Sequence, residues 1–298
     1  MANMGHMPWK MFWFNNPVAR YLTRTFGGER MNTFETFLDW LEKRVDQRMR
    51  EGPGDRRPDM LLQYFINGKT PGGSAVSKAE VMIEGVNILG AGADPTAVAI
   101  LAVLGQLLLN DEALQKVRAE VDAAHAAGQA SFRGLEKLPY LTAAIRESMW
   151  LHPSITYQLP RISPAEGVQI AQYHIPSTVS CGISPAAMNL TGELFGNDAD
   201  RWVPERWMPA DDSAEEGKRL RVIEQNLTTS GMGSRSCVGR NLAIVEVYKY
   251  IASFVLNFDA EVVNQKQPWT TKSQWFSFQR DFWVRLSLRE SVKRSSLK

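Results

Sequence analysis

Ser77-Lys78-Ala79-Glu80 opens a mostly apolar run that continues to about Asn110. Serine and glutamate three positions apart satisfy each other's orphan backbone N–H groups, so the spacing predicts a helix start. The helix over 77–110 has about 30 residues and is roughly 45 Å long at 1.5 Å per residue, enough to cross a whole domain. A rod of that length with an apolar surface organises a core around itself, and the remaining chain must supply the elements that cover it. Val86 to Leu109 also has the length of a membrane span. It carries Asn87, Asp94, Pro95 and Gln106, and a charge near a bilayer centre is costly, so it reads as a buried helix of a soluble core.

Other periodic segments fit a mainly α chain with small β-sheets. Residues 30–50 form a charged amphipathic helix, followed by a Gly-Asp-Arg-Arg-Pro loop and a second loop at Lys69-Thr-Pro-Gly-Gly. Helices are expected over Glu112 to Ala127, ending at Gly128, and over 138–151, ending before Pro153. Gln169 to His174 and Thr178 to Ile183 read as strands of one small sheet. Residues 200–230 are polar and proline-bearing, an irregular meander. The segment 239–257 is apolar nearly all round, which predicts a helix buried on every side. Trp275 to Phe278 and Phe282 to Leu288 read as a terminal hairpin, and no internal repeat is visible.

With 44% hydrophobic and 22% charged residues, the composition is that of a globular chain with a sizeable core, and disorder is excluded as the default. A formal net charge of +2 gives no electrostatic case for nucleic acid. Cys181 and Cys237 are far apart, which points away from a disulfide framework and toward a reducing compartment. His6, His125, His152 and His174 are scattered, with none at zinc-ligand spacing to a cysteine. Met1 to Lys10 lacks the features of a signal peptide.

Residues 229–246 place Cys237 in a glycine-rich loop that runs into an apolar helix. Gly231, Gly233 and Gly239 are expected to adopt positive φ and to let the backbone approach a flat partner closely. The helix opening after Cys237 directs its positive dipole end toward the sulfur and favours the thiolate. A lone cysteine is most often a small buried hydrophobe. Here two glycines before it, one after it and Arg235 two positions upstream set it apart. That spacing resembles the haem-binding loop of the cytochrome P450 family, with Ser230 where the family has phenylalanine. The resemblance implies haem b as cofactor, its iron ligated by the Cys237 thiolate, with Arg235 on a propionate and the loop spanning 229–240.

Two further landmarks carry the resemblance. Ala91-Gly92-Ala93-Asp94-Pro95-Thr96 resembles the family's oxygen-activation segment, with Asp94 and Thr96 in the implied catalytic positions and Pro95 in place of the first hydroxyl residue. Arg146-Glu147-Ser148-Met149-Trp150-Leu151-His152-Pro153 resembles the family helix in which arginine follows glutamate by three residues. Trp150 stands where that arginine belongs. Arg206, in Pro204-Glu205-Arg206-Trp207, matches the third member of the family's buried triad, so a Glu147–Arg206 pair is expected in its place. Carbonyls of the meander then lose guanidinium partners at ~1–3 kcal/mol each. Arg161, in Leu159-Pro160-Arg161, matches a second propionate contact.

The resemblance runs from about residue 30 to 290 and corresponds to the C-terminal portion of the family fold, a long central helix plus the cysteine loop. It implies one N-terminally truncated haem-thiolate domain over 1–298. The implied activity is a monooxygenase that hydroxylates a small apolar substrate with dioxygen and electrons from an NADPH-cytochrome reductase-type donor, in secondary-metabolite biosynthesis. Pro95 motivates an alternative, a haem-thiolate isomerase or dehydratase that needs no dioxygen. Trp150 motivates another, a non-catalytic remnant or interaction module. An intracellular location is expected. Fungal microsomal members sit on the endoplasmic reticulum through an anchor that is not seen in this chain.

Overall fold

A computed structural model describes residues 29–52, 61–273, 275–290 and 292, with the side chains of 29–33 excepted. The readings of Met1 to Lys10 and of the loop over 54–58 fall outside the described residues. The chain divides into two compact units, Met1–Ala91 and Gly92–Lys298.

In the first unit, α1 (Glu29–Glu51) and α2 (Leu61–Ile66) accompany the opening turns of α3 (Lys78–Leu109). The start of α3 is the reciprocal cap that its sequence predicts: Ser77 N–H donates to Glu80 Oε2 at 2.8 Å, and Glu80 N–H donates to Ser77 Oγ at 3.3 Å. Leu41, Val45 and Val81 form the core, with Phe37, Phe65 and Met82 packed against them. Lys78 bridges to Glu42 at 2.9 Å and Asp46 at 2.6 Å.

The second unit holds the rest. The later part of α3 packs with α4 (Asp111–Ala126), α6 (Pro139–Leu151) and α10 (Arg240–Asn257); the short α5 (Phe132–Leu135) lies between α4 and α6 in sequence. Val103, Leu107, Val117, Val121, Leu141, Ala144, Val247 and Ile251 build the main core. Each lies on the apolar stripe of its helix, and burying such a side chain stabilises by about 1.5–3 kcal/mol. Gly105 is needed there, because a Cβ would come within 2.7 Å of the Trp269 ring. A second core of Ala143, Trp150, Phe195, Ala199, Trp207 and Ile223 lies under the polar segment that follows α6.

Four antiparallel ribbons decorate this unit, each two-stranded among the described residues. They pair β1 (Arg161–Ile162) with β4 (Ser180–Cys181), β2 (Val168–Ile170) with β3 (Tyr173–Ile175), β5 (Phe258–Val262) with β8 (Val284–Leu288), and β6 (Thr270–Ser273) with β7 (Ser277–Arg280). The helices α7 (Pro185–Asn189), α8 (Gly192–Phe195) and α9 (Ala214–Gln225) complete the set.

Five expectations change. The segments around 169–183 do not make one sheet: β2 and β3 close on each other, while β4 returns to β1. The terminal hairpin is also split, because β7 pairs back to β6 and β8 pairs with β5, in register from Phe258↔Leu288 to Val262↔Val284. The meander over 200–230 contains α9, whose start is fixed by Ser213 Oγ accepting from Glu216 N–H at 3.1 Å. That capping serine was hidden in a stretch whose polarity suggested a loop. On α10 only Val247, Tyr248, Ile251, Ala252 and Val255 are buried, since its neighbours cover one face, and Leu242 and Tyr250 are exposed. Likewise α3 is buried chiefly from Thr96 onward, with Leu89 and Ala91–Ala93 exposed. Among the described residues α3 is also the one helix long and apolar enough to cross a membrane.

Candidate functional site

Three backbone hydrogen bonds shape the cysteine loop. Gly231 N–H donates to Thr228 O at 2.8 Å, Ser236 N–H to Gly233 O at 3.1 Å, and Cys237 N–H to Ser230 O at 2.8 Å. Gly231 and Gly233 both have φ +68, where a side chain would strain the backbone, so the sequence reading holds for these two. It fails at Gly239, which has φ −84 and caps α10 as an ordinary turn residue. A Cβ at Gly239 would sit 3.9 Å from Cys237 Sγ, in ordinary contact. A 3-10 turn over Gly233–Arg235 delivers Cys237 two residues before the cap of an 18-residue helix. The N-terminal N–H groups and positive dipole end of that helix lie next to the sulfur in sequence.

Cys237 itself is exposed. Apolar side chains stand exposed beside it: Met232 at 55%, Val238 at 95% and Leu242 at 61%. Isolated exposed apolar residues are ordinary; here three fall within the eleven residues 232–242 that also hold the thiol. Leu159, two residues before Arg161, lies by the loop, its Cδ1 3.9 Å from where a Gly231 Cβ would be. Arg161 Nη1 donates to Pro160 O at 2.9 Å. Neither Arg161 nor Arg235 pairs with a carboxylate among the described residues.

Asp94, Pro95 and Thr96 lie in an unbroken α3; Thr96 is buried and Asp94 is partly exposed. Proline lacks the N–H that would bond Ala91 O, yet the helix runs on through it. Ser154 Oγ donates to Pro95 O at 2.7 Å, which ties the region to the chain after α6. Ser154 O in turn accepts from Ser277 N–H at 3.0 Å. The segment from Ser154 to Leu159 thus has one end on α3 and the other on the cysteine loop. Six residues span at most about 20 Å. No direct contact between Asp94 or Thr96 and Cys237 is formed.

Glu147 is completely buried on α6. Its Oε1 accepts from Val203 N–H at 2.7 Å, and its Oε2 accepts from Trp207 Nε1 at 2.7 Å and from Arg206 Nε at 3.4 Å. Burial pushes the Glu147 carboxyl above its ordinary range, opposed by the Val203 N–H, the Arg206 charge and the Trp207 N–H. Arg206 sits in a 3-10 turn over Pro204–Trp207. It also donates to Phe195 O, to Asp198 Oδ1 at 2.9 Å and to Asp198 O at 3.0 Å. Its hydrogen bond holds the Asp198 carboxyl below its usual range. The expected Glu147–Arg206 pair is present. The carbonyls that Arg206 reaches, Phe195 O and Asp198 O, precede the meander; within it, Arg206 O and Met208 O accept from the Arg219 guanidinium at 3.0 and 3.3 Å.

Trp150 is fully buried against Phe195, ring centroids 4.6 Å apart, with the Arg206 guanidinium 5.0 Å from its ring centre. Its Nε1 has no hydrogen-bond partner, so the indole supplies a cation–π face and no donor. The turn is gripped on its outer side too. Glu205 Oε1 accepts from Tyr140 Oη at 3.1 Å and from Lys116 at 3.4 Å, and burial followed by the Glu205 charge pushes the Tyr140 phenol up to about 12. Sequence reasoning missed Trp207, Val203 and Asp198. The signal available was the indole next to Arg206.

From this cluster the chain runs through α9 to the cysteine loop. Leu227 packs on the second core, and Thr229 Oγ1 donates to Met149 O at 3.4 Å. Beside the start of α10, an open groove is lined by Arg146, Arg221, Glu224, Gln225, Leu227 and Arg240. Glu224 there is paired to Arg146.

Comparison with known proteins places these observations in context. A family model described as Cytochrome P450 matches residues 1–281. The cytochrome P450 monooxygenase cicH of Emericella nidulans is 30% identical over 296 residues, 96% of this chain and 56% of that protein. Cytochrome P450 monooxygenase mpaDE of Penicillium brevicompactum is 32% identical over 93% of this chain and 32% of its own length. Pisatin demethylase of Fusarium vanettenii is 35% identical over 64% of this chain and 36% of its own. A crystal structure of a cytochrome P450 superposes with a TM-score of 0.72 over 97% of this chain and 63% of that one, at 22% identity, a likeness of fold. The chain therefore spans well under two thirds of the relatives it matches.

Proposed function

This chain belongs to the cytochrome P450 family, and from that premise we propose that it is the haem-thiolate portion of a monooxygenase acting on a small apolar molecule. The carrying observation is Cys237: an exposed thiol that follows two left-handed glycines and precedes a helix N-terminus, with exposed apolar side chains near it in sequence. These residues fit a flat apolar macrocycle with two carboxylates. Gly231 and Gly233 keep the loop surface free of Cβ atoms, while Met232, Val238 and Leu242 offer apolar cover. Arg235 and Arg161 bring positive charge that is not spent on protein carboxylates.

In this reading Cys237 holds haem iron as a thiolate, and Arg235 and Arg161 hold the propionates by charge-assisted hydrogen bonds. Haem so ligated supplies dioxygen activation and insertion of one oxygen atom into a C–H bond. The protein's own part is to place and protonate. Thr96 carries a buried hydroxyl that both donates and accepts, Asp94 two residues earlier carries a carboxylate on a different face of the helix, and Pro95 between them carries neither. Ser154 is engaged with Pro95 O and holds that stretch of α3 in place. Glu147 and Arg206 fix the segment that leads into the loop. The arginine groove suits the acidic surface of a reductase-type electron donor. A role in fungal secondary metabolism accords with the named relatives, and a membrane-associated intracellular setting accords with the family.

Titration of the purified chain with haemin tests the reading. One equivalent bound with a Soret band, lost in Cys237→Ala and weakened in Arg235→Ala, is expected; the absence of any Soret band would favour a non-catalytic module. Pro95 keeps the second reading in view, a haem-thiolate isomerase or dehydratase, and substrate turnover without NADPH and dioxygen would select it.

A further inference from the structure

We propose that Trp207 is a positioning residue for the cysteine loop: its indole N–H, with the single guanidinium of Arg206, pins the buried Glu147 carboxylate to the turn that leads into the loop. The extension from the pin to the thiolate rests on the haem-thiolate reading. The pin itself does not.

Geometry carries it. A carboxylate has about four lone-pair sites, and in a dry interior each unmet one is costly. Glu147 has three donors, of which two are close: a backbone N–H and the Trp207 indole, both at 2.7 Å. Arg206 Nε is more distant at 3.4 Å, and its Nη atoms are committed to Phe195 O and Asp198. Trp150, at the position three residues after Glu147 on the same helix, has an orphaned N–H and gives Arg206 only its ring. Two indoles thus divide one task. Trp150 braces the cation from the side, and Trp207 supplies the short side-chain hydrogen bond to the anion.

The same core reaches the loop through short steps. Trp150, Trp207 and Ile223 pack together with Leu227; two residues on, Thr229 bonds Met149 O on the helix that carries Glu147. Thr228 O and Ser230 O then accept the two N–H groups that set the backbone at Gly231 and Cys237. A turn that slips off Glu147 therefore moves the residues that hold the cysteine.

The charged groups around Glu147 include Arg206 and Glu205 on the turn, the latter bonded by Lys116 of α4, Asp198 beyond it after α8, Arg219 of α9 on Arg206 O, and Arg146 on its own helix, paired to Glu224 on α9. Burial raises the Glu147 carboxyl above its unfolded value, so the folded state binds that proton more tightly than the unfolded chain. Stability from this group is then greatest below the unfolded value and falls as pH rises through the folded one. Removing a donor to the charged form raises the folded value further. The cost of losing the Trp207 N–H must grow with pH, which a mere packing defect would not do.

Trp207→Phe keeps an aromatic ring and removes the N–H. The unfolding equilibrium of the haem-free protein should shift toward unfolded by about tenfold at pH 8, and by less at a pH low enough to protonate Glu147. In a Glu147→Gln background the same substitution should cost less than half as much and lose its pH dependence. In the haem-loaded protein, the thiolate-type fraction of the reduced carbon-monoxide spectrum should fall in Trp207→Phe, and in a Glu147→Gln background the same substitution should lower it little further. Equal cost at both pH values, or equal cost with and without Glu147→Gln, overturns the pin. An intact pin with an unchanged thiolate fraction overturns the link to the loop. Should Trp207→Phe alone fail to fold, Trp207→His, which keeps a ring N–H, folds if the proposal holds, and failure of both contradicts it.

Discussion

Around Glu147 both carboxylate oxygens have donors and no solvent reaches the side chain, whereas around Cys237 the thiol, Arg235 and three apolar side chains stand exposed. Both regions belong to the same unit, and the chain joins them within a few residues of Thr229. The contrast separates two uses of polar residues. Where a network closes on itself, it fixes the backbone and gains nothing from a ligand. Where charge and apolar surface are left turned outward on a loop that left-handed glycines define, the fold has prepared a surface and left its completion to something else.

The sharpest way to break this comparison is to remove each centre in the haem-free protein. Glu147→Ala leaves the Val203 and Trp207 N–H groups without their acceptor and Arg206 with Asp198 as its remaining carboxylate, and should cost ~3–5 kcal/mol. Cys237→Ala removes an exposed thiol and should stay within about 0.5 kcal/mol. Urea unfolding checks both, and comparable losses would erase the distinction between scaffold and site.

The loop's own strain gives a smaller effect. Gly231→Ala and Gly233→Ala each force a side chain into φ +68 and should cost ~1 kcal/mol. Haemin affinity should fall more than stability does, because the Cβ intrudes on the surface offered to the ligand. A stability loss with unchanged affinity would place the flat partner elsewhere.

The weakest effect concerns pH. His152, at the end of the helix that carries Glu147, is pushed below the ordinary histidine value by burial, near Gln106 at 3.2 Å and edge-on to Trp269. A depressed histidine contributes stability above its unfolded value, near 6.5, and that stability is lost as pH falls toward the folded value. Its slope is opposite to that of Glu147. His152→Gln should flatten the decline of the unfolding midpoint between pH 7 and 5; an unchanged decline would assign it to other groups.

The long helix was legible because Ser77 and Glu80 declare its start and its apolar content leaves no other use for it. The cysteine loop was legible because glycine spacing dictates backbone shape locally. Strand pairing was not: Trp275 to Phe278 and Phe282 to Leu288 are extended as expected, but each takes a partner from before it in the chain. Pairing depends on where α10 leaves the chain, which local pattern does not encode. The Glu147 cluster was half legible. Glutamate and Arg206 could be matched across the sequence, yet Trp207 acts through a hydrogen bond that exists only once the turn is docked. Trp150, which seemed a missing donor, contributes as a face under the cation.

The central claim is that Cys237, held by this scaffold, is a thiolate ligand. The absorption spectrum of the reduced, carbon-monoxide-bound protein tests it most directly, with Cys237→Ala as control. The account predicts a thiolate-type shifted band that disappears in the variant. A band at the unshifted position in both proteins would contradict it.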